Sequence, residues 1–421
     1  MSMAKKPKKV HLPSKEDIAQ YEDVEERFPR APMRKKLWTP AFTTGVAILA
    51  IGAVLIVIRL MYGLGAVTNL SDGFPWGLWI AFDVVVGIAL AAGGFVTAAL
   101  IYVFNHGRYS PLVRPAVVTA LLGYMMAGFG VFIDVGRWWQ LYNPVLPGNW
   151  QGGSALFEVC ICVMSYLIVL FIEFLPTVTD KWAQGPDSFK KRISTKLRPI
   201  LNKALIFFIL IGVVISMLHQ SSLGSIMLLM SHRLHALWFT PWLPLMFLLS
   251  AIGVGMHVVI FESMLSARTF GRQIEMPLLS GLAKRSIMVL GLYVLVKFWD
   301  LVAYGDFDLL FKSWFGLLFV AEVMLFGIIP VLLLSIKSFR RDPNVLFRIS
   351  IMVIAGLILN RFDVYLFAVQ AYDGWSYFPT LWEVLISSFM VAFIFVMYKV
   401  IANYFPVLHK EIHPVSSSSG A

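Results

Sequence analysis

Charged side chains are scarce in this chain. Asp, Glu, Lys and Arg make up 14% of its 421 residues, whereas hydrophobic residues make up 58% and the mean hydropathy is +0.76. A soluble domain needs far more polar surface, so this composition indicates a polytopic membrane protein. The apolar runs are long and continuous rather than alternating, which excludes an outer-membrane barrel.

Cysteine is nearly absent as well. The chain has two cysteines, Cys160 and Cys162, and both lie in the same apolar run. Residues two apart on a helix point to different faces, so we expect neither a disulfide nor a metal site. An iron–sulfur cluster needs more thiolates than the chain has, and we therefore predict none.

Histidines suited to hold a haem are also lacking. Of the eight histidines, only His219 and His257 fall within or at the edge of the predicted membrane spans. Membrane b-type cytochromes most often hold each haem between two histidines, and the predicted topology puts these two toward opposite sides. The sequence therefore predicts no haem in this chain.

Long apolar runs, in contrast, are abundant. A spanning helix needs roughly 20 mostly apolar residues, and by that count the sequence predicts an all-α membrane protein with ten spans. The predicted spans lie at 39–62, 75–104, 114–136, 154–176, 199–219, 240–266, 283–304, 314–336, 346–367 and 382–404.

Positive charge is unevenly placed along the chain. All but six of the 35 Lys and Arg fall in the N-terminal segment, the even-numbered connections and the C-terminal segment. By the positive-inside rule both termini then lie in the cytoplasm, which an even number of spans also requires. The net charge of +11 therefore reflects topology and attraction to anionic lipids, not nucleic acid.

These patterns predict a multi-pass protein of the bacterial inner membrane. We divide it into a cytoplasmic N-terminal arm (1–37), a ten-helix transmembrane domain (38–405) and a flexible cytoplasmic tail (406–421). The arm is too long and too polar for a signal peptide, whose apolar region would begin much sooner.

Several ionisable residues interrupt the apolar runs. Asp83 lies about eight residues past the predicted start of its span, and Glu158 and Glu322 are also placed too deep to reach the headgroups. Each such charge is costly if it faces lipid, so we expect these carboxyl groups to face the bundle interior and one another. A file of such groups is typical of a proton relay.

A second polar set lies at the predicted outer ends of spans. Asp134 and Arg137 occur in "FIDVGRWW", and His219 and Gln220 close the predicted fifth span. With Asp83 these groups provide the hydrogen-bond donors and proton sources that reduction of a quinone headgroup needs, so we predict a quinone site here. The alternative is a structural Asp134–Arg137 pair, because residues three apart on a helix can meet.

Structural explanations also exist for charges closer to the headgroups. For Arg114, Glu173 and Glu383 the alternative is snorkelling or helix capping. The Trp- and Tyr-rich outer connections, such as "RWWQLYNPVLPGNW", fit the interfacial aromatic belt. The alternative is that some of these aromatic residues form a docking surface for a partner protein.

Several motifs resemble those of one known family. Over residues 45–405 their order and spacing are similar to those of the NrfD/PsrC-type membrane subunits, above all the HybB type of type-2 [NiFe] hydrogenases. The segments are "RLMYGLGAVTNLSDGFPWGLWIAFD" (59–83), "YVFNHGRYSPLVRPA" (102–116), "IDVGR" (133–137), "LFE" (156–158), "HQSSLGS" (219–225), "IFE" (260–262) and "YFPTLWEVLIS" (377–387). The long arm before the first span departs from this pattern.

The resemblance implies two four-helix bundles with flanking helices and a haem-free site for menaquinone or ubiquinone. It implies three periplasmic partners: a [NiFe] hydrogenase large subunit, an iron–sulfur small subunit with a membrane anchor, and a ferredoxin-like iron–sulfur subunit. It also implies that the polar motif positions of the family are occupied here by Asp83, Arg114, Tyr124, Glu158, His219 and Glu262.

On this basis we predict that electrons from the iron–sulfur subunits reduce the quinone while protons cross the membrane. The residues predicted to transfer protons are Glu158, Tyr124, Arg114, Glu262 and Glu322. One alternative is another NrfD-type complex, a polysulfide, nitrite or similar reductase that oxidises quinol. The other is a secondary transporter, which would carry broken helices at corresponding positions of two halves; "ALAAGG" in the second span has no counterpart in the sequence.

Overall fold

The structure of the chain is a computed structural model that describes residues 30–104, 106, 109–186, 188–230, 233–371 and 375–409. Within these ranges, ten helices are long and apolar enough to cross a membrane. They are α1 (Pro40–Tyr62), α2 (Trp79–Val103), α3 (Ser110–Asp134), α4 (Ala155–Gln184), α5 (Ser188–Leu228), α6 (Leu243–Phe270), α7 (Met276–Tyr304), α8 (Trp314–Ser335), α9 (Pro343–Phe367) and α10 (Leu381–Tyr404). The predicted all-α membrane fold with ten spans is confirmed.

The end of α5 differs from the prediction. The helix continues to Leu228 rather than ending at residue 219. Ser222 and Ser225 lower the local hydropathy, but their hydroxyl oxygens lie 2.8 and 3.3 Å from the carbonyl oxygens of Leu218 and Ser221 and so remain compatible with a helix. His219 therefore lies inside the helix rather than at its end.

Polar caps define several helix starts. The hydroxyl of Ser154 accepts from the Phe157 amide at the start of α4, and α9 starts beyond the Asp342 cap. At α10, Thr380 and Glu383 form a reciprocal capping box in which each side chain accepts from the other's backbone amide. Capping, the structural alternative for Glu383, is therefore confirmed.

The helices pack as two groups of four with a flanking pair. Helices α2–α5 form the first bundle, α6–α9 form the second, and α1 and α10 pack on each other and against α3. Helix α2 lies between α3 and α6, because Gly94 abuts Ala120 and Gly255 abuts the backbone at Ala92. Small residues let these helix backbones approach closely.

Gly255 offers a stability test of this contact. A Cβ atom added there would lie 2.9 Å from the carbonyl carbon of Ala92, and that backbone cannot move aside as a flexible side chain could. We expect Gly255→Ala to destabilise the protein by about 1–3 kcal/mol. Gly291→Ala is the matched control, because nothing lies within 4 Å of an added Cβ there. Thermal unfolding in detergent is the measurement, and equal midpoints for the two variants would contradict the packing.

Both described chain ends lie at the same end of the bundle. The backbone amides of Ala31 and Met33 donate to the carbonyl oxygens of Leu408 and Ala402. We call this end the terminal face and the opposite end the distal face. Residues 1–29 of the predicted arm and 410–421 of the predicted tail lie outside the described residues, so the domain boundaries stay a prediction.

Widened, π-helical turns occur in both bundles. They span Trp79–Val86 and Ala99–Val103 in α2, Met324–Ile328 in α8 and Asp363–Phe367 in α9. In α8, Pro330 lies two residues after the widened turn and has no amide hydrogen to continue the regular ladder. Such turns are frequent at functional sites, and two of them contain the buried carboxyl groups of Asp83 and Asp363.

Candidate functional site

The polar side chains inside the helices form separate clusters. The junction cluster lies where α1, α2, α3 and α10 meet and contains Arg59, Asp83, Asp134, Glu383 and Ser387. The first-bundle cluster contains Tyr124, Tyr166, Ser216, His219 and Gln220. The second-bundle cluster contains Trp238, Tyr293, Lys297, Glu322, Asn360, Arg361 and Asp363.

Asp83 is the centre of the junction cluster. Its side chain is buried with 5% exposure and accepts a 2.6 Å hydrogen bond from the hydroxyl of Ser387 on α10. Because α2 begins at Trp79 rather than at residue 75, Asp83 lies four residues, or about 6 Å, inside the helix. Gly130 of α3 packs against it.

Asp134 is coupled to Arg59 rather than to Arg137. Arg59 is the principal cation acting on Asp134, and its Nε donates 2.5 Å to the carbonyl of Ile133 at the end of α3. The chain becomes extended at Val135, so Arg137 is no longer on the same helix and its side chain is exposed. Within the described ranges no ion pair joins Asp134 and Arg137, and the structural pair considered from the sequence is wrong.

The loops at the distal face close over the junction cluster. The hydroxyl of Tyr377 donates 2.7 Å to Glu383 Oε1 and accepts from the Leu78 amide at 2.7 Å. Burial raises the pKa of this phenol, and the hydrogen bond to Glu383 acts in the same direction. Tyr377 therefore remains a neutral donor that ties the two loops together.

His219 and Gln220 lie in the first bundle, apart from Asp83. The His219 ring is 5.6 Å from that of Tyr124, and Gln220 Nε2 donates 3.0 Å to the carbonyl of Ile88 on α2. Neither ring nitrogen of His219 nor Gln220 Oε1 has a hydrogen-bond partner among the described residues. Buried polar atoms of this kind cost about 1–3 kcal/mol each, so they are candidates for ligand contacts.

A polar file runs from the first-bundle cluster to the distal face. The Tyr124 hydroxyl lies 3.4 Å from that of Ser216, and Ser216, His219 and Ser222 follow at helical spacing along α5. The hydroxyl of Ser222 donates 2.5 Å to Glu158 Oε1. Glu158 is exposed in the first turn of α4, so the expectation that it is deeply buried is wrong.

The same file extends toward the terminal face along α4. The ring of Tyr166 lies 4.6 Å from that of Tyr124. Glu173 and Asp180 follow Tyr166 at intervals of seven residues, which returns them to nearly the same face of the helix. Asp180 pairs with Arg114 at 2.6 Å and with Arg198 at 3.2 Å. No role was predicted from the sequence for Tyr166, Ser216 or Asp180, although the seven-residue repeat of Tyr166, Glu173 and Asp180 was visible there.

Glu262 lies at the terminal face, and no ion pair joins it to Arg114 among the described residues. Its Oε1 accepts 2.7 Å from the Tyr398 hydroxyl, and its Oε2 has no partner in the described part of the chain. Glu262, Arg272 and Glu275 line a cavity of about 10 Å³. This volume is near the size that one water molecule needs. Burial raises the pKa of Glu275, whereas the nearby Arg272 opposes this shift.

Glu322 is the most heavily bonded carboxyl group of the second bundle. Its Oε1 accepts 2.5 Å from Tyr293 and lies 3.2 Å from Lys297 Nζ, and its Oε2 accepts 2.9 Å from Trp238 Nε1. It lies eight residues, or about 12 Å, from the start of α8. The sequence predicted the depth of Glu322. Trp238 lies between the predicted fifth and sixth spans, but this loop folds inward and buries the indole.

Arg361 lies beside this pair but does not bond to Glu322. Its Nη2 donates 2.8 Å to Ser250 Oγ, its Nη1 donates to Asn360, and its guanidinium lies 3.7 Å from the Phe247 ring centroid. Asn360 in turn donates 3.3 Å to the Tyr293 hydroxyl. A continuous buried network thus joins α6, α7, α8 and α9.

His257 is satisfied by serines. Its Nδ1 lies 3.2 Å from Ser350 Oγ and its Nε2 lies 3.0 Å from Ser286 Oγ. Both ring nitrogens are therefore engaged in contacts between α6, α7 and α9, so His257 is not available as a haem ligand opposite His219. These side chains do not fit a bis-histidine haem. The described residues also contain no group of three or more His, Cys, Asp or Glu that could hold a metal ion.

The sequence comparisons decide the family. Residues 66–372 match the family model described as polysulphide reductase, NrfD.

The chain belongs to the NrfD family.

Relatives of this NrfD-family chain are named for several complexes. The probable Ni/Fe-hydrogenase 2 b-type cytochrome subunit of Escherichia coli (strain K12) is 35% identical over 365 residues, which are 86% of this chain and 90% of the relative. The integral membrane subunit of menaquinone reductase from Nitratidesulfovibrio vulgaris (strain Hildenborough) is 28% identical over 376 residues, 83% of this chain and 87% of that protein. A selenate reductase subunit of Mesobacillus selenatarsenatis is 23% identical over an aligned length of 432 residues. The alignment covers 90% of this chain and 97% of that protein.

The resemblance inferred from the motifs is thereby confirmed. This NrfD-family chain is a membrane subunit of the type found in quinone-linked oxidoreductases, and its relatives include a hydrogenase-associated subunit. The name of the Escherichia coli relative includes a b-type cytochrome. That name describes a haem protein, whereas the engaged ring nitrogens of His257 in this chain do not fit a bis-histidine haem.

Proposed function

We propose that this chain is the quinone-binding membrane subunit of a periplasm-facing [NiFe] hydrogenase. In this proposal electrons from iron–sulfur subunits reduce menaquinone or ubiquinone, and the reduction is coupled to proton transfer across the membrane. The observation that carries it is that the ring nitrogens of His219 and Oε1 of Gln220 have no hydrogen-bond partner among the described residues. These atoms lie beside a polar file that extends toward both faces of the first bundle. The 35% identity to a hydrogenase-associated subunit supports the partner class.

The proposed headgroup site lies between the first-bundle and junction clusters. Gln220 bonds the carbonyl of Ile88, which is five residues, or about 7.5 Å along α2, from Asp83. The length of a quinone ring with its two carbonyl groups is similar to this distance between Ile88 and Asp83. We assign His219 and Gln220 to one carbonyl group and Asp83 to the proton supply of the other. Asp134 and Arg137 remain at the distal edge of this proposed site.

The proposed proton route follows the first bundle. It leads from Arg114 and Asp180 at the terminal face, past Glu173, to Tyr166 and Tyr124. Ser216 and His219 then lead toward the headgroup, and Glu158 with Ser222 provides a branch to the distal face. Glu262 and Glu322 lie off this line, in the terminal-face cavity and the second bundle, and we retain them as separate proton-exchanging groups.

The proposed orientation has both termini in the cytoplasm and the distal face in the periplasm. It rests on the predominance of Lys and Arg near the terminal face. Exposed aromatic side chains at the distal face, including Trp139, Trp150 and Phe378, would then face the iron–sulfur partners.

Purification of the intact complex in mild detergent tests the partner class. We expect nickel and iron to copurify with this chain, together with hydrogen-dependent quinone reduction. A complex that lacks nickel and instead carries a polysulfide, nitrite or similar reductase would favour the second candidate, a quinol-oxidising NrfD-type subunit. The second candidate is supported by the relatives that are named as subunits of selenate reductase and menaquinone reductase.

We also propose that the chain contains no haem, because His257 engages both ring nitrogens with serines. The expected result is a reduced-minus-oxidised absorption spectrum of the isolated chain without b-haem bands. The pyridine haemochrome assay on the same sample provides an independent measurement. One haem per chain, lost in His219→Ala, would contradict the proposal.

A further inference from the structure

Asp363 is a buried carboxyl group without a hydrogen-bond donor. Its side chain has 0% exposure and lies at the first position of the widened turn of α9. No described residue donates a hydrogen bond to either carboxylate oxygen. An ionised carboxylate in such surroundings is very costly unless a cation or a proton neutralises it.

The charges that act most strongly on Asp363 are those of Glu322 and Lys297. Lys297 lies 3.2 Å from Glu322 and is itself buried, with 3% exposure. Arg361 is directed toward Ser250 and the Phe247 ring, so it is not bonded to either carboxyl group. Among the described residues, Lys297 is thus the cation that acts on both Glu322 and Asp363. Lys297 also acts on Asp300, and Arg361 also acts on Glu322.

The hydrogen bonds are unequally divided between the two carboxyl groups. Glu322 accepts from Tyr293 and Trp238 and also contacts Lys297, which is a set of donors suited to an anion. Asp363 has none of these donors. Like charges that share a low-dielectric site do not both ionise, and one of them retains a proton.

We propose that Asp363, Glu322 and Lys297 form a proton-binding site in the second bundle. The two carboxyl groups hold one proton between them, and Lys297 neutralises whichever group is ionised. The site requires neither a quinone nor a partner subunit. It rests on the proposed function only in that Glu322 is retained there as a separate proton-exchanging group.

Other titratable groups surround this site on every packed element. They are Tyr293 and Asp300 of α7, Arg361 and Tyr365 of α9, Asp83 of α2, and Arg233 and His235 of the loop before α6. Asp300 accepts 2.5 Å from Thr240, Tyr365 donates 2.7 Å to the carbonyl of Leu223, and Asp83 accepts from Ser387. Asp300, Tyr365 and Asp83 therefore each have a hydrogen-bond partner of their own. Asp363 has none among the described residues and relies on the charge of Lys297.

Asp363 lies close to the distal end of its helix. Only four residues, or about 6 Å, separate it from Phe367, where α9 ends. Its turn packs against the widened turn of α2 that contains Asp83, with the rings of Phe82 and Phe362 6.0 Å apart. Proton exchange with the distal face is thus the shortest route for this site.

Infrared difference spectroscopy of the full chain in lipid nanodiscs tests the proposal, with the stretching band of protonated carboxyl groups as the readout. Relative to the unmodified chain at neutral pH, Asp363→Asn and Glu322→Gln should each lose one protonated carboxyl group. Lys297→Met should gain one, because neither carboxyl group then has a cation. The exposed Asp308→Asn is the matched control and should change nothing.

The isosteric variants and the lysine variant test the site independently, so poor folding of one does not remove the test. Gel filtration establishes which variants are folded before spectra are compared. An unchanged band in Asp363→Asn would overturn the proposal. So would a band that is lost in Asp363→Asn but retained in Glu322→Gln, because the proton would then belong to Asp363 alone.

Discussion

Replacing Glu322 with leucine should destabilise the protein by about 3–5 kcal/mol. The substitution removes the acceptor of Tyr293 and Trp238 and leaves Lys297 as the cation of the cluster without its bonded partner. Breaking a buried ion pair on one side is far more costly than replacing both partners with apolar groups. Asp363 then becomes the counter-charge of Lys297, but it has none of the hydrogen bonds that Glu322 accepts, and the described contacts include no ion pair between Asp363 and Lys297. Equilibrium unfolding in mixed detergent micelles is the measurement.

The double variant Lys297→Met with Glu322→Leu separates the charge effect from packing. We expect it to recover most of the lost stability, since no unpaired cation remains. The exposed pair of Lys312 and Asp308, 3.8 Å apart, provides the matched control, and Lys312→Met should leave the unfolding midpoint unchanged. A Glu322→Leu variant as stable as this control would refute the importance of the buried pair.

Asp83→Asn should lower hydrogen-dependent quinone reduction by about 10²–10⁴-fold. The substitution keeps the shape of the side chain and its contact with Ser387 but removes the exchangeable carboxyl proton, and a positioned acid or base contributes a factor of this size. The assay follows reduction of a menaquinone analogue by the intact complex. Hydrogen oxidation with an artificial dye should be unchanged, because it bypasses the membrane subunit.

Asp72→Asn is the control for this experiment. Asp72 is exposed in the loop that precedes α2, so its substitution removes the same charge from the same region without affecting the interior. We expect full quinone-linked turnover from this variant. If Asp83→Asn also retains full turnover, Asp83 is not the proton source. If Asp83→Asn loses dye-linked activity too, the complex has failed to assemble and the loss is not specific to the quinone.

Hydropathy predicted the spans because the constraint is local. In lipid, each backbone amide and carbonyl must be satisfied within its own helix, so a run of about 20 apolar residues already identifies a span. The same cost argument correctly located buried Asp83 and Glu322. It failed at Glu158, whose apolar neighbours suggested depth although α4 begins only three residues before it.

The partners of these charges could not be read from the sequence. Asp134 is coupled to Arg59, 75 residues earlier in the chain, rather than to Arg137 three residues later. Lys297 lies within the predicted span 283–304, but nothing local indicated that it is buried against Glu322. Asp363 was visible as a charge near the end of a span, but nothing local indicated that it lacks a donor.

The sequence by itself determined the number of spans, the all-α class and the positions at which polar groups interrupt the apolar runs. Each of these follows from the cost of placing one segment in lipid, which depends on that segment alone. Only the tertiary structure decided how those groups divide into a junction cluster, a first-bundle cluster and a second-bundle cluster. Which side chain neutralises which depends on how helices far apart in the chain pack together, and that packing is a property of the whole bundle.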